Sequence, residues 1–265
     1  MRLIKFELFT PKATASEKEN VRLQSIPRFT HTMTNLFDKR ISLIDAASYL
    51  FIYDELFNKE IYKFRTENKQ PFIIDCGANI GLSIIYFKQL YPDAEILAFE
   101  PDEKVFATLE LNVESFQLTN VNLIKKACWS EETTLKFYSE RADGGRLLND
   151  EDSENIIEVK TTQLQKYLNR KVDFLKIDIE GAEVEVISDI KDQLMYVENI
   201  FVEYHSFVRK EQHLPNLLAI LKNAGFRLHI STPGLAAQQP FIKIPVYANM
   251  DNQINIYGFR ENKNV

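Results

Sequence analysis

Pro71-Phe-Ile-Ile-Asp75-Cys-Gly77-Ala-Asn79-Ile-Gly81 decides the fold of this chain. An apolar run ends on an acid and is followed by a turn bearing two glycines. Ile80, Ile84, Phe87 and Tyr91 then recur at helical spacing. This reads as a buried strand, a tight turn and a helix. A second apolar run, Glu95 to Phe99, ends in Glu100-Pro101, and Glu100 lies 19 residues beyond Gly81. Glycines at such a turn let backbone approach a ligand closely, and an acid at the tip of the next strand can accept both hydroxyls of a ribose. Pro101 confines Glu100 to extended conformations, which directs its side chain along the strand axis. The pair of motifs points to a nucleoside-containing cofactor. A pyrophosphate turn would be GxGxxG, whereas this chain has Gly77-Ala78-Asn79-Ile80-Gly81, with asparagine, a residue tolerant of positive φ, in the middle.

Working outward, short apolar runs alternate with helical periods, the pattern of βαβ units and a parallel sheet. A helix carrying Val105, Phe106, Leu109 and Val113 precedes a third strand over Val121 to Ala127. Ala127 and Cys128 end it, and small residues there leave room for a flat purine. Residues 133–160 break the rhythm with two strand-like runs around a polar stretch, which predicts a hairpin-like excursion with a long loop. A fourth strand follows at Val172 to Asp178, and a fifth at Ile200 to His205. A helix through Leu214, Leu217, Leu218 and Leu221 stops at Gly225, and candidate strands at Phe226 to Ser231 and Ile254 to Phe259 close the chain.

Residues 1–70 contain no glycine. From about residue 33 they read as mostly helical, with Leu43, Ile44, Ala47, Leu50 and Phe51 on one face and Phe57, Ile61 and Phe64 continuing less regularly. The division expected is a helical appendage over 1–70, serving as substrate lid or oligomer contact, and a cofactor-binding domain over 71–265. The composition, 45% hydrophobic and 26% charged, is that of an ordinary globular chain. The net charge is −6 with both signs interspersed, so nucleic acid is not an expected partner. Cys76 and Cys128 fall at predicted core positions, and no disulfide framework is indicated. No run approaches the length of a membrane span, and a cytoplasmic location is the default.

Strand alternation places Lys176, Asp178 and Glu180 on one side of the fourth strand, and Glu203 and His205 together on the fifth, all near the carboxyl edge where open α/β sheets bind ligands. Glu180 and Glu183 are equally well explained by the electrostatics of a helix start. His205, beside two carboxylates, is the first candidate for a base, oriented by Glu203 or Asp178; Asp178 is the second.

These residues together resemble the FkbM family of S-adenosylmethionine-dependent methyltransferases. The resemblance spans about Pro71 to Phe259 and rests on Asp75 to Gly81, Ala98-Phe-Glu100-Pro101, Leu109 to Asn112, Asn120-Val121 and above all Leu175-Lys-Ile-Asp178-Ile-Glu180-Gly-Ala-Glu183. It implies a class I methyltransferase (Rossmann-like) fold: a seven-stranded, mostly parallel sheet with helices on both faces. It also implies methyl transfer to a hydroxyl, often of a sugar, glycan or natural product. Carried over, Asp75, Gly77, Asn79 and Gly81 hold the methionine end of the cofactor and Glu100 its ribose. Ala78, Pro101, Ala127, Cys128 and Asp178 complete the expected cofactor contacts. No metal ligand is assigned, although a carboxylate cluster able to polarise the hydroxyl through a divalent ion is a second mechanism. Expected substrate walls are Tyr49, Tyr53 and Tyr62 and the loop of Arg141, Gly144, Gly145 and Arg146. The competing readings are a nicotinamide-dependent oxidoreductase and a non-catalytic nucleoside-binding module.

Overall fold

The computed structural model describes residues 17–139, 145–147, 156–233 and 237–261. Before the glycine turn lie α1 (Glu17–Gln24), the strands β1 (Thr32–Leu36) and β2 (Lys39–Leu43), α2 (Ala46–Tyr53) and a π-helical turn over Asp54–Asn58. The helix expected from about residue 33 is therefore a hairpin up to residue 43. Phe37 and Asp38 both take positive φ, as a two-residue primed turn requires, and Thr34, Leu36, Ile41 and Leu43 alternate into the core. The turn escapes a sequence reading because neither residue is glycine. Asp45 caps α2, its carboxylate accepting from Ser48 N.

The doubly wound part follows. It begins with β3 (Phe72–Cys76), α3 (Leu82–Leu90), β4 (Glu95–Phe99), α4 (Glu103–Ser115) and β5 (Val121–Ile124). An excursion of β6 (Ala127–Trp129), β7 (Thr134–Ser139), β8 (Gly145–Leu147) and β9 (Ile156–Gln163) leads to β10 (Val172–Ile177) and α5 (Glu183–Asp189). The chain finishes with β11 (Val197–Phe207), α6 (Leu214–Asn223), β12 (Arg227–Ser231) and β13 (Met250–Phe259). Every residue of β3 and β10 is buried, because helices cover both faces of a parallel sheet. Asp102 caps α4 by accepting from Lys104 N and Val105 N.

Seven strands form the main sheet in the order β12-β13-β11-β10-β3-β4-β5. Only β13 runs antiparallel to its neighbours. Connections leave β3 in one direction and β10 in the other, so a switch point opens between them, where ligands of such sheets bind. The third strand stops at Ile124, earlier than expected, because Ala127 and Cys128 pair with Thr161 and Thr162 of β9 in a second sheet ordered β6-β9-β7-β8. The expected hairpin exists as β7 against β9, with Thr134 opposite Lys160. Arg141 and Gly144 lie outside the described residues.

Two apolar clusters flank the sheet. One, with Ile74, Leu175, Val186, Ile187, Leu217 and Leu221, lies under α5 and α6. The other joins Ile73, Ile84, Phe87 and Leu109 to Leu36, Ile41, Leu43, Tyr49, Leu56 and Phe57. The described part of 1–70 thus shares a core with β3 and α3 rather than standing apart from them. Asn112 secures that union. Buried in α4, its amide nitrogen donates to Ser42 O (3.0 Å) and Ile80 O (2.8 Å), while its oxygen accepts from Ser42 N (2.8 Å). No helix among the described residues is long and apolar enough to cross a membrane.

Candidate active site

A cavity of about 510 Å³ lies across the carboxyl ends of β3, β4, β10 and β11. Its volume is within the usual range for small-molecule sites. Its two ends differ in chemistry.

At the first end the turn after β3 presents Gly77, Ala78 and Asn79 to the cavity. Asn79 adopts φ +48, as its position between the glycines suggested. Its side-chain oxygen accepts from Ile80 N (2.6 Å) and its backbone N–H donates to Glu100 Oε2 (3.0 Å). Asp102 N donates to the other Glu100 oxygen, also at 3.0 Å. Each oxygen keeps a lone pair for a ligand hydroxyl. Burial pushes the Glu100 carboxyl up to about 7, with the two backbone N–H bonds pulling the other way. Pro101, Asp102, Ala127 and Cys128 continue the wall. Both cysteines are free and buried, and burial together with the neighbouring Cys128 thiol raises Cys76 well above the ordinary thiol value.

Two members of the motif act from behind. Gly81 takes φ +91 at the start of α3, and a Cβ there would lie 2.7 Å from Leu109 Cδ1. Asp75, expected to meet the cofactor's amine, is fully buried and does not line the cavity. It accepts from Ser83 Oγ (2.5 Å) and pairs with Lys176 Nζ (3.3 Å). The register explains this, since Asp75 and Lys176 are directly paired across β3 and β10. Lys176 also sits 3.2 Å from Asp178 and donates to Gly77 O (2.8 Å), pinning the turn to β10. Burial opposes its charge, but Asp178 and Asp75 outweigh that and hold its pKa above the usual lysine value. Gly77 is required by packing: a Cβ there would stand 1.9 Å from Asp178 O.

The second end is acidic. Ile177 pairs with Val202, so Asp178, just past the end of β10, stands beside Glu203, which continues in β11 opposite Asn255. Both line the cavity, together with Glu180 and Glu55. Burial raises Asp178, which Lys176 partly offsets, and raises Glu180 well above the carboxylate range against the pull of His205. Glu55, on the π-helical turn, is raised to about 7 by burial and by the Glu203 charge. Such turns often occur where a helix bends to present a functional group. An acid inside the apolar run Phe51 to Phe57 was the available signal for it, and helical periodicity alone gave it no role.

His205 is not placed as a base. Its side chain is 1% exposed and lies beneath the cavity, with Nδ1 3.0 Å from Glu183 Oε1 and Nε2 3.5 and 3.6 Å from Glu180 and Glu203. Burial alone would lower its pKa, but Glu180 and Glu183 drive it well upward. An imidazolium has no lone pair with which to take a proton. Glu183, read from sequence as a helix-start acid, accepts from Gly181 N (2.9 Å) and is the partner that orients the ring. Of the three tyrosines expected in the substrate wall, Tyr62 lines the cavity; Tyr49 is packed in the core, 5.9 Å from the Tyr53 ring. Ser48, Phe51 and Ile52 line the cavity instead, as do Tyr247 and Gln253.

A seven-stranded sheet of this order, with an acid at the β4 tip and a positive-φ turn after β3, defines a class I methyltransferase. The chain belongs to the family described as the methyltransferase FkbM domain, whose model matches residues 75–228. Its cofactor is S-adenosylmethionine, and the buried Glu100 with two open acceptor positions beside small-residue walls fits the nucleoside of that molecule. Among curated relatives, "Methyltransferase sdnD" of Sordaria araneosa is 29% identical over 225 residues, covering 70% of this chain and 84% of its own length. "Methyltransferase 1" of Beauveria bassiana (strain ARSEF 2860) is 25% identical over 212 residues with the same coverage. "2-O-methyltransferase NoeI" of Sinorhizobium fredii is 27% identical over 176 residues, covering 58% of this chain and 71% of that protein.

Proposed function

We propose that the protein methylates a hydroxyl group of a sugar, glycan or other hydroxylated natural product. The observation that carries this reading is the convergence of Glu55, Asp178, Glu180 and Glu203 at one end of a cavity whose other end is built for a nucleoside. A neutral alcohol needs a nearby group to accept its proton, and a carboxylate whose pKa is pushed up to about 7, as burial pushes that of Glu55, does this near neutral pH. The likeness to NoeI, named as a 2-O-methyltransferase, supports the same chemistry.

When bound, S-adenosylmethionine supplies a methyl on sulfonium sulfur, which an oxygen lone pair takes as the S–C electron pair leaves on a neutral thioether. The protein's share is placement and proton removal. Glu100 accepts the ribose hydroxyls and Asn79 sets the angle of the turn. Lys176 keeps Gly77 and Asp178 at a constant spacing, so the two ends of the cavity hold their separation. Glu55 takes the acceptor's proton. α2, the π-helical turn and the segment containing Tyr247 wall the acceptor region, with Arg28 bridging Tyr247 to Asp45 at the start of α2. This gives the expected lid role of the N-terminal region to Ser48, Phe51, Ile52 and Glu55.

The test is incubation with S-adenosylmethionine and a panel of saccharides and polyhydroxylated acceptors, read by mass spectrometry for a single added methyl. Glu55→Gln is expected to lower kcat by about 10²- to 10⁴-fold, the usual range for a lost general base, with S-adenosylhomocysteine affinity retained. Undiminished turnover in that variant removes Glu55 from the reaction, and methyl on nitrogen rather than oxygen overturns the hydroxyl assignment.

A further inference from the structure

The donor atoms of Asp178, Glu203 and His205 lie within 4.8 Å of one another at the acidic end of the cavity. His205 Nε2 is buried and has no hydrogen-bond partner among the described residues. The nearest carboxylate oxygens, 3.5 and 3.6 Å away, are beyond the ~2.7–2.9 Å of a charge-assisted hydrogen bond. Nδ1, by contrast, is engaged by Glu183 at 3.0 Å, and Glu183 is itself held by Gly181 N and Ile179 N. A histidine whose far nitrogen is tied to a carboxylate, with its near nitrogen turned toward two further carboxylates, is the arrangement that orients imidazole for metal coordination. Glu203 is steadied in the same manner by Gln253, whose amide donates to it across β11 and β13.

We propose that Asp178, Glu203 and His205 form a divalent-cation site of the Mg²⁺ or Mn²⁺ kind, which seats and polarises the acceptor hydroxyl. One imidazole with two carboxylates is a hard, oxygen-rich donor set, and it leaves coordination positions open toward the cavity. A small inward shift of the three side chains brings each donor to the ~2.0–2.2 Å such ions require. Nδ1–H is donated to Glu183, and the ion displaces the Nε2 proton of the imidazolium to water and takes the lone pair so freed. The cation also answers a charge problem, since Lys176 is already shared between Asp75 and Asp178 while Glu55, Glu180 and Glu203 crowd the same end. With the hydroxyl polarised, its proton passes to Glu55, and the methyl transfer balances as written above. The ion's role rests on the O-methyltransferase reading; the existence of the site does not.

The experiment is Mn²⁺ titration of the purified full chain, monitored by loss of the free-ion electron paramagnetic resonance signal, with a parallel calorimetric titration of S-adenosylhomocysteine. One Mn²⁺ per chain is expected, with ¹⁴N coupling from a histidine in the pulsed spectrum. Glu203→Gln should weaken Mn²⁺ by at least about tenfold, and Glu183→Gln by about 10- to 100-fold with a diminished nitrogen coupling, while both still bind S-adenosylhomocysteine. Glu100→Ala should show the reverse pattern: Mn²⁺ retained, nucleoside weakened. S-adenosylhomocysteine binding without stoichiometric Mn²⁺, or Mn²⁺ binding that lacks nitrogen coupling and survives Glu203→Gln, overturns the metal site and leaves the methyltransferase reading intact. Mn²⁺ binding without the nucleoside keeps the site and sinks that reading.

Discussion

The two ends of the cavity are assembled differently. The nucleoside end comes mainly from one stretch, Gly77 to Asp102, with Ala127 and Cys128 completing the wall, and its groups are held by backbone: Asn79 N and Asp102 N on Glu100, and Phe99 O accepting from Gly77 N and Ala78 N. The acidic end draws Glu55, Lys176 to Glu183, Glu203 to His205 and Gln253 from four separate parts of the chain, and its groups are held by other charged or polar side chains. A site made from backbone and one loop tolerates the loss of a side chain. A site made from mutually paired buried charges does not, because each removal strands a partner.

Lys176→Met is the most damaging test of that contrast. Two carboxylates and the Gly77 carbonyl lose their partner at a position 3% exposed, and a loss of about 3–5 kcal/mol is expected, measured by denaturant unfolding. A change within about 1 kcal/mol would show that the acidic end is less interdependent than its geometry implies. Glu100→Ala comes next and strikes function instead. With the hydrogen bonds to a charged acceptor gone, S-adenosylhomocysteine should bind more weakly by about 1.5–3 kcal/mol, roughly 10- to 100-fold in Kd, by calorimetry.

The same residue gives a pH signature. Its folded pKa of about 7 is raised above the ordinary 4.5, so the stability it contributes is fully present below 4.5 and is lost as pH rises through about 7. The ionised form is the better acceptor for hydroxyls. Nucleoside affinity should therefore strengthen between pH 6 and 8 in the native protein and stay flat in Glu100→Gln; equal slopes would detach Glu100 from the ribose.

Asn112→Ala probes the seam between the N-terminal hairpin and the glycine turn. It leaves Ser42 and Ile80 backbone groups unpaired and should cost about 1–3 kcal/mol in unfolding. It should also loosen the acceptor wall, raising KM for the acceptor more than the Kd for the nucleoside. Asn79→Gly should have the smallest effect, under about 1 kcal/mol, because glycine accepts φ +48 without strain and the Oδ1 bond to Ile80 N that is lost is a local one between neighbours in the turn.

How much was readable beforehand follows the same division. The parallel strands of the sheet and the positive-φ turn at Asn79 could be read because apolar runs, glycines and a strand-tip acid leave local marks. The hairpin at Thr32 to Leu43 could not, since its turn puts the bulky Phe37, a residue that ordinarily avoids positive φ, beside Asp38, with no glycine to mark the place. Asp75 was expected at the cavity and lies behind Lys176. Strand alternation says which face a side chain takes, but not that a longer neighbour on the next strand will reach past it.

Order and spacing determined the α/β architecture and the nucleoside end of the cavity, which depend on backbone conformation and on residues within one βαβ unit, and the resemblance carried by those motifs supplied the family and its fold. Tertiary packing decided the rest. It brought Glu55 to the acidic end of the cavity, buried His205 among carboxylates and made Lys176 the shared counter-ion. Charge and protonation at that end depend on distances between segments far apart in the chain and on exclusion of water, and neither quantity exists until the core has closed.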